Sequence, residues 1–381
     1  MTPLPTTDLN LSIPLSDVIP LTDDQEHAIS LILDWLELPV STHQSFKLGG
    51  YAGTGKTTTL KELKKDIGNR YHVVFCAFTG KACYVLQRKG IPAQTIHSLI
   101  YNCIDNGDGT WTFELRRELV DDPDLIIVDE SSMVSTELLN ALRSFNTKIL
   151  FVGDPGQLEP VGDNPNLMAK PDFVLSYIHR QAQQSPIIRL ATDVRFGKTP
   201  VRGGPPNDQL TVQGKLLRAS DYLAVDQIIC AKNTTRQRLN NSLRVQKRLP
   251  SLQVAPGEKI ICLRNNRSLG VFNGMILYVD KVLSEGGTYW EVNLHDEVDR
   301  KFSYIKLWKE PFILPKVDDT RIPKFHLYAD YGYVITCHKS QGSEWSSVLV
   351  QDELWPGCIW DTKRWRYTAI TRAAQKLIYC I

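Results

Sequence analysis

Residues 46–67 read FKLGGYAGTGKTTTLKELKKDI, and the first half of that stretch decides the fold. Gly50, Gly55, Lys56 and Thr57 fulfil the spacing GxxxxGK[ST] between an apolar run and a helical pattern. Glycines let such a loop curl until its backbone N–H groups face a phosphate chain, and the next helix presents its positive N-terminus to it. Gly53, Thr54 and Thr58 complete the cradle expected from residues 50–58. Lys56 would reach the β- and γ-phosphates of ATP, and the Thr57 hydroxyl would hold Mg²⁺. Leu60, Leu63 and Ile67 give the following helix one apolar stripe that ends near Gly68.

Working outward, residues 125–128 form an apolar strand that delivers Asp129 and Glu130 at its C-terminal end. Asp129 is expected in the Mg²⁺ shell, and Glu130 is expected to orient or deprotonate the attacking water. A further strand near 149–152 runs into GDPGQLEPV, which places Asp154 and Gln157 at the same sheet edge. Gln157 is either a γ-phosphate sensor acting through an uncharged hydrogen bond or a plain turn residue. A second GKT at 197–199 lacks the upstream glycine, follows a helical pattern and runs into Pro200, so one nucleotide site is expected.

These strands alternate with helices. Thr22 and Gln25 have capping-box spacing, a strand is expected at Val73–Ala77, and a helix from about 80 to 89 is stopped by Gly90. The alternation predicts an α/β fold with a parallel sheet covered on both faces. One interruption, CIDNGDGTWTFEL, carries turn residues at 106–109 and predicts a projecting β-hairpin. A second α/β domain is expected from strands near Phe173–Leu175, 228–231, 333–336, 348–351 and 377–380. Between 250 and 325 short strands joined by Asn273-Gly274 and Gly286-Gly287 predict an inserted antiparallel barrel.

The 381 residues suffice for two or three domains. With 44 basic against 42 acidic residues the net charge is only +2, which excludes a bulk-charge argument for nucleic-acid binding. The acid-free run 232–248, with Lys232, Arg236, Arg238, Arg244, Lys247 and Arg248, reads equally as a phosphate-lining patch or a solvated helix face. Eight scattered cysteines without a CxxC pair favour buried reduced thiols in a cytoplasmic protein over disulfides or a zinc site. No secretory signal and no membrane-spanning run is evident.

In this order the motifs resemble superfamily 1 helicases, most closely the RecD-like and Dda-like 5′-to-3′ branch. The likeness covers nearly the whole chain, from LTDDQ at 21–25 to YTAITRA at 367–373. It implies two RecA-like domains, 1–171 (hairpin about 100–118) and 172–249 with 326–381, and an SH3-like insertion at 250–325. It implies an ATP-dependent, Mg²⁺-requiring DNA helicase that moves 5′ to 3′ on single strands and acts at single-strand/duplex junctions in replication, recombination or repair. An RNA-directed enzyme of the same superfamily, or a translocase that unwinds weakly, is the alternative. A monomer is expected, because both halves of the site lie in one chain.

The same resemblance assigns residues. Gln25 would recognise adenine, in competition with its capping role. Thr79, Gly80 and Lys81 of AFTGKA, and Thr95 and His97 of TIHSL, would contact DNA. Arg180 of HRQ and Arg372 of YTAITRA would reach across the cleft, where arginine stabilises charge developing on a γ-phosphoryl. In TCHKSQGSEW, Thr336, His338 and Lys339 would face DNA, with Gly342 and Glu344 beside the nucleotide. Trp111 and Phe113 would either stack on a base at the junction or merely hold the hairpin together.

Overall fold

The computed structural model describes residues 20–105, 111–159, 165–201, 209–214, 217–251, 253–266, 269–297, 299–313, 325–354, 358 and 361–381. The N-terminal half begins with helix α1 (Asp23–Leu36), strand β1 (Ser45–Gly50), α2 (Lys56–Ile67), β2 (Val73–Ala77), α3 (Gly80–Arg88), β3 (Ala93–Thr95) and α4 (Ile96–Ile100). An antiparallel pair, β4 (Tyr101–Asp105) and β5 (Trp111–Leu115), follows, then β6 (Leu125–Asp129), α5 (Thr136–Arg143), β7 (Lys148–Gly153) and β8 (Phe173–Leu175). Apart from the antiparallel pair, these strands form a parallel sheet in the order β3-β2-β6-β7-β1-β8.

Alternation along β6 shows why both faces are covered. Leu125 and Ile127 join Leu48, Leu60, Leu63 and Ile32 in one core, while Ile126 and Val128 join Ile96, Leu138, Leu142 and Phe151 in another. Strands buried on both faces read as continuous apolar runs, which is what LIIV and ILFV are. Parallel strands also bring their C-terminal ends to one edge, so Gly50, Asp129 and Gly153 converge there.

Helices α6 (Arg180–Gln184) and α7 (Pro186–Arg195), strand β9 (Leu210–Gln213), α8 (Ala219–Leu223), β10 (Gln227–Cys230) and α9 (Asn233–Gln246) lead into an inserted sheet. This comprises β11 (Lys259–Cys262), β12 (Ile276–Glu285), β13 (Tyr289–Asp296), β14 (Lys301–Trp308), a turn of helix α10 (Glu310–Ile313), β15 (His326–Leu327) and β16 (Ala329–Tyr331). The chain returns through β17 (Val334–Thr336), α11 (Cys337–Ser340), β18 (Trp345–Gln351), α12 (Thr362–Ile370) and β19 (Ala373–Cys380). Strands β17-β10-β18-β19-β9 form a second parallel sheet. In the insert, β15 pairs with β14 and β16 pairs with β11, separated only by Tyr328. One bent stretch therefore joins both edge strands and rolls the sheet around Trp290, Leu277, Val292 and Leu307.

Two expectations need correction. Phe173–Leu175, expected to open the second domain, pairs in parallel with β1 and belongs to the first sheet. The outer edge of β1 is open to it, and the Lys47 N–H fastens the approach by donating to the Asp172 carboxylate at 2.7 Å. The inserted sheet also runs past residue 325, to Tyr331. The expected turn at 106–109 lies outside the described residues.

The basic run after β10 holds the insert in place at two of its positions. Arg244 is buried, donates from Nε to Glu258 at 2.5 Å, and reaches the carbonyls of Pro250 and Gln253 at 2.5 and 2.7 Å. Its guanidinium lies 4.1 Å from the centre of the Tyr331 ring. Arg236 pairs with Asp330 at 2.5 Å. At these positions neither a phosphate patch nor a solvated face describes the arginines, whereas Arg238, Lys247 and Arg248 are exposed.

Candidate functional site

The chain leaves β1 at Gly50 and re-enters a helix at Lys56, and the loop between them needs two left-handed residues. Gly53 has φ +81° and Gly55, the N-cap of α2, has φ +79°. A Cβ on Gly55 would also overlap the Gln25 amide and the His179 imidazole. Lys56 folds back on the loop, donating to the carbonyls of Gly50 at 2.7 Å and Tyr51 at 3.3 Å. The buried Thr54 hydroxyl donates to Tyr51 at 2.8 Å, while Thr57 is half-buried and Thr58 exposed in the first turn of α2. Nearby, Gln157 Oε1 and Ser131 Oγ are buried without a hydrogen-bond partner. Buried polar atoms are normally satisfied, so orphans beside a phosphate-type loop fit a polar ligand with its metal ion. Asp129 and Thr57 are the oxygen donors at hand for that ion.

Asp129 and Glu130 stand at the end of β6, and Glu130 has φ +52°, a strained backbone for a residue with a side chain. Removal from water raises the pKa of both carboxyls, and the Asp129 charge raises Glu130 further. The Glu130 N–H, donating to Asp129 at 2.9 Å, and Lys56 act against the rise in Asp129, and Arg372 and Lys56 act against it in Glu130. Arg372 is buried and donates to the Thr368 and Ser343 carbonyls, both at 3.0 Å, so it faces Glu130 while tied to its own sheet. Arg180 begins α6 directly over the loop: the His179 N–H donates to Gly53 at 3.2 Å, and a Cβ on Gly53 would lie 2.9 Å from Ala182.

Gln25 makes the capping box and binds the loop at once. Its Oε1 accepts from the Thr22 N–H at 3.0 Å, and its Nε2 donates to the Gly55 and Thr54 carbonyls at 3.3 and 3.5 Å. The cap and the loop therefore occupy both ends of the amide.

Three residues the sequence reading left without a role join the sheets here. Tyr367, on α12, donates its hydroxyl proton to Asp154 at 2.8 Å and accepts from the Ala52 N–H at 2.8 Å. The next residue, Thr368, accepts from the Leu158 N–H at 2.8 Å, and Gln341 donates to the Leu158 carbonyl at 2.7 Å. The aromatic ahead of the TRA motif was the available signal, but its partners lie more than two hundred residues upstream.

The expected strand-binding face is arranged differently. Thr79 caps α3 and Thr95 caps α4, each accepting a backbone N–H at 3.1 Å. A Cβ on Gly80 would overlap the Phe272 ring of the insert. Lys81 is buried, 3.4 Å from Glu297 and 4.7 Å from the centre of the Trp345 ring. Its expected exposure to phosphates is thus corrected: the insert covers it. His97 stacks on Tyr101, with ring centres 5.8 Å apart. Thr336 caps α11 without a side-chain bond, His338 is half-buried with its pKa lowered by burial, and Lys339 donates to Asn273 at 3.1 Å. A Cβ on Gly342 would lie 3.6 Å from Ala82, so Gly342 abuts α3. Glu344 is exposed. Phe113 is exposed, edge-on to Tyr101 at 6.4 Å, and Trp111 lies opposite Asp105 in the hairpin register.

Residues 20–213, just over half of the chain, match the family described as the AAA domain. The chain belongs to that family. Residues 331–379 match the UvrD-like helicase C-terminal domain. The ATP-dependent RecD2 DNA helicase of Deinococcus radiodurans is 29% identical over 373 positions, covering 88% of this chain and 46% of that protein. The chain thus spans less than half the length of that curated relative. Among solved structures, Bacteroides Pif1 bound to single-stranded DNA aligns with a TM-score of 0.56 at 16% identity, over 95% of this chain and 92% of that one. A pair of Pif1 helicases at forked duplex DNA aligns with a TM-score of 0.59 at 18% identity, over the same shares. At such identities the agreement is one of fold.

Proposed function

We propose that this AAA-domain protein hydrolyses ATP with Mg²⁺ to move along single-stranded DNA, 5′ to 3′, and to open duplexes at single-strand/duplex junctions in replication, recombination or repair. The two-sided construction of the cleft carries this reading. The loop at 50–57, Asp129, Glu130 and Gln157 come from the first sheet, while Tyr367 and Arg372 come from the second. Hydrolysis at such a cleft changes contacts that join two bodies, which is the coupling a motor requires.

In this reading Thr57 and Asp129 hold the metal ion, which supplies charge neutralisation at the phosphates. Lys56 leaves the Gly50 and Tyr51 carbonyls for the phosphates, Glu130 takes a proton from water, and Gln157 lends its free Oε1 to orient that water. Arg180 and Arg372 stabilise developing charge. Gln25 reaches adenine only by releasing the loop carbonyls. Two RecA-like halves act as the motor, the rolled insert as an SH3-like clamp on the strand, and the hairpin of Trp111 and Phe113 as the separating pin. The RecD2 relative and the DNA-bound Pif1 structures support DNA as the polymer, and the protein is read as a cytoplasmic monomer.

The test is strand displacement on duplexes with 5′ or 3′ single-stranded tails, alongside ATPase stimulation by DNA and RNA oligonucleotides. Opening of 5′-tailed substrates only, with stimulation by DNA, is expected. Stimulation by RNA alone would overturn the DNA assignment, and opening from 3′ tails would overturn the direction.

A further inference from the structure

The loop that carries Gln157 is held from both sides. Asp154, at its start, is buried, and its Oδ1 accepts from the Gly156 N–H at 2.8 Å while its Oδ2 takes the Tyr367 hydroxyl. The Tyr367 ring is buried and packs on Gly156, where a Cβ would lie 2.9 Å from a ring carbon. That same hydroxyl accepts from Ala52, a backbone amide of the phosphate loop. One oxygen on the second sheet thus ties together the loop that holds phosphates and the loop that carries Gln157.

We propose that Tyr367 is a positioning residue that makes closure of the two sheets depend on the γ-phosphate: its hydroxyl, fixed by Asp154, sets both the Ala52 amide and the Gln157 loop. The inference rests on reading the cleft as the nucleotide site. The hydroxyl has one proton to donate, and Asp154 takes it, so its lone pair is directed at Ala52. Tyr367 thereby holds the phosphate loop and the loop of Gln157 in one arrangement, and that arrangement is what a γ-phosphate meets.

Tyr367→Phe keeps the ring on Gly156 and removes both hydrogen bonds, and Asp154→Asn keeps the volume and removes the acceptor charge. The measurement is binding of ADP and of ADP with aluminium fluoride to the full chain, which needs no turnover, with ATPase kcat and KM measured beside it. Expected is a loss of about tenfold or more in affinity for the fluoride complex, with ADP affinity changed by less than about threefold, as a linkage that positions the Gln157 loop for the γ-phosphate alone requires. kcat should fall while KM holds, and the double variant should be no worse than the poorer single one, because both substitutions break one linkage. Equal losses for ADP and the fluoride complex, or losses that multiply in the double variant, would overturn the proposal. Should Tyr367→Phe not fold, Asp154→Asn alone gives the same discrimination. A wild-type protein that binds nucleotides with this discrimination but is not stimulated by single strands would sink the motor reading and leave the proposal for Tyr367 standing.

Discussion

The nucleotide cleft and the expected strand-binding face are built from the same residue types and differ in what those residues touch. In the cleft, Gln157 Oε1 and Ser131 Oγ are buried without partners, and Glu130 is held in a strained backbone. On the strand face, Thr79 and Thr95 cap helices, Lys81 pairs with Glu297, and Phe272 covers Gly80. The cleft keeps unmet polar capacity for a ligand, whereas the strand face is covered by the insert, with Lys81 shut behind it. If the second region receives a strand as proposed, the first site is pre-organised and the second must be opened, so the strand competes with internal contacts before it binds.

The largest expected effect tests the pre-organised side. Glu130→Gln should lower ATP turnover by on the order of 10²–10⁴-fold, as loss of a general base does, and Lys56→Ala should abolish it. Steady-state ATPase with saturating oligonucleotide measures this, and normal turnover in either variant breaks the contrast at its root. Burial raises the Glu130 pKa, so the active carboxylate is lost as pH falls through a value above the ordinary glutamate range. The wild-type rate should therefore fall on the acid side earlier than an exposed glutamate would allow. The same raised pKa makes the ionised form a cost to the free fold above that pH, so Glu130→Gln should unfold later than the wild type at neutral pH, not earlier.

Next in size is the attachment of the insert. Arg244 and Glu258 form a buried pair, and removing one charge of such a pair costs about 3–5 kcal/mol. Glu258→Gln should lower the denaturant midpoint accordingly and weaken binding to single strands, while leaving nucleotide affinity intact. Equal loss at both sites would mean that the two regions are not separable, which would undo the comparison.

The cleft was legible in the sequence because its signals are local. A loop of eight residues, a strand ending in Asp129-Glu130 and a strand ending in GDPGQ each carry their own spacing, and strand–helix alternation sets the sheet edge on which they meet. The strand face was not legible, since its partners are distant in the chain: Lys81 meets Glu297, and Gly80 meets Phe272. Phe173–Leu175 was misplaced for the same reason, because a three-residue strand says nothing of which sheet edge is open to it. Tyr367 shares the difficulty, being a hydroxyl whose two partners lie in loops of the other sheet.

The hairpin gives a smaller effect. Phe113 is 51% exposed, and an aromatic that stacks on a base contributes about 1–3 kcal/mol. Phe113→Ala should reduce strand displacement while leaving movement along a single strand, followed by release of a bound end-label, unchanged. Unchanged displacement would return Phe113 to a structural role beside Tyr101.

The smallest effect addresses the closed strand face most directly. Glu297 accepts from Trp345 Nε1 at 3.1 Å and faces Lys81 at 3.4 Å, so its carboxylate occupies a place that a phosphate oxygen could take. Burial lowers the Lys81 pKa and Glu297 opposes that fall, so the pair keeps a charged amine inside the closed arrangement. Glu297→Gln retains an acceptor for Trp345 and removes the counter-charge. The closed form then holds a buried cation without a partner, while the open form, with Lys81 on a phosphate, loses nothing. The balance shifts toward opening, by no more than about 1 kcal/mol because Glu297 is about a third exposed and its pairing is screened. Affinity for a single-stranded oligonucleotide should therefore rise by roughly threefold to fivefold at low salt, a sign opposite to that of most substitutions at a binding face. Lys81→Ala should weaken binding and make the log–log salt dependence shallower by about one counterion. If Glu297→Gln weakens binding instead, Glu297 is part of the surface that receives the strand, and the strand face is as pre-organised as the cleft.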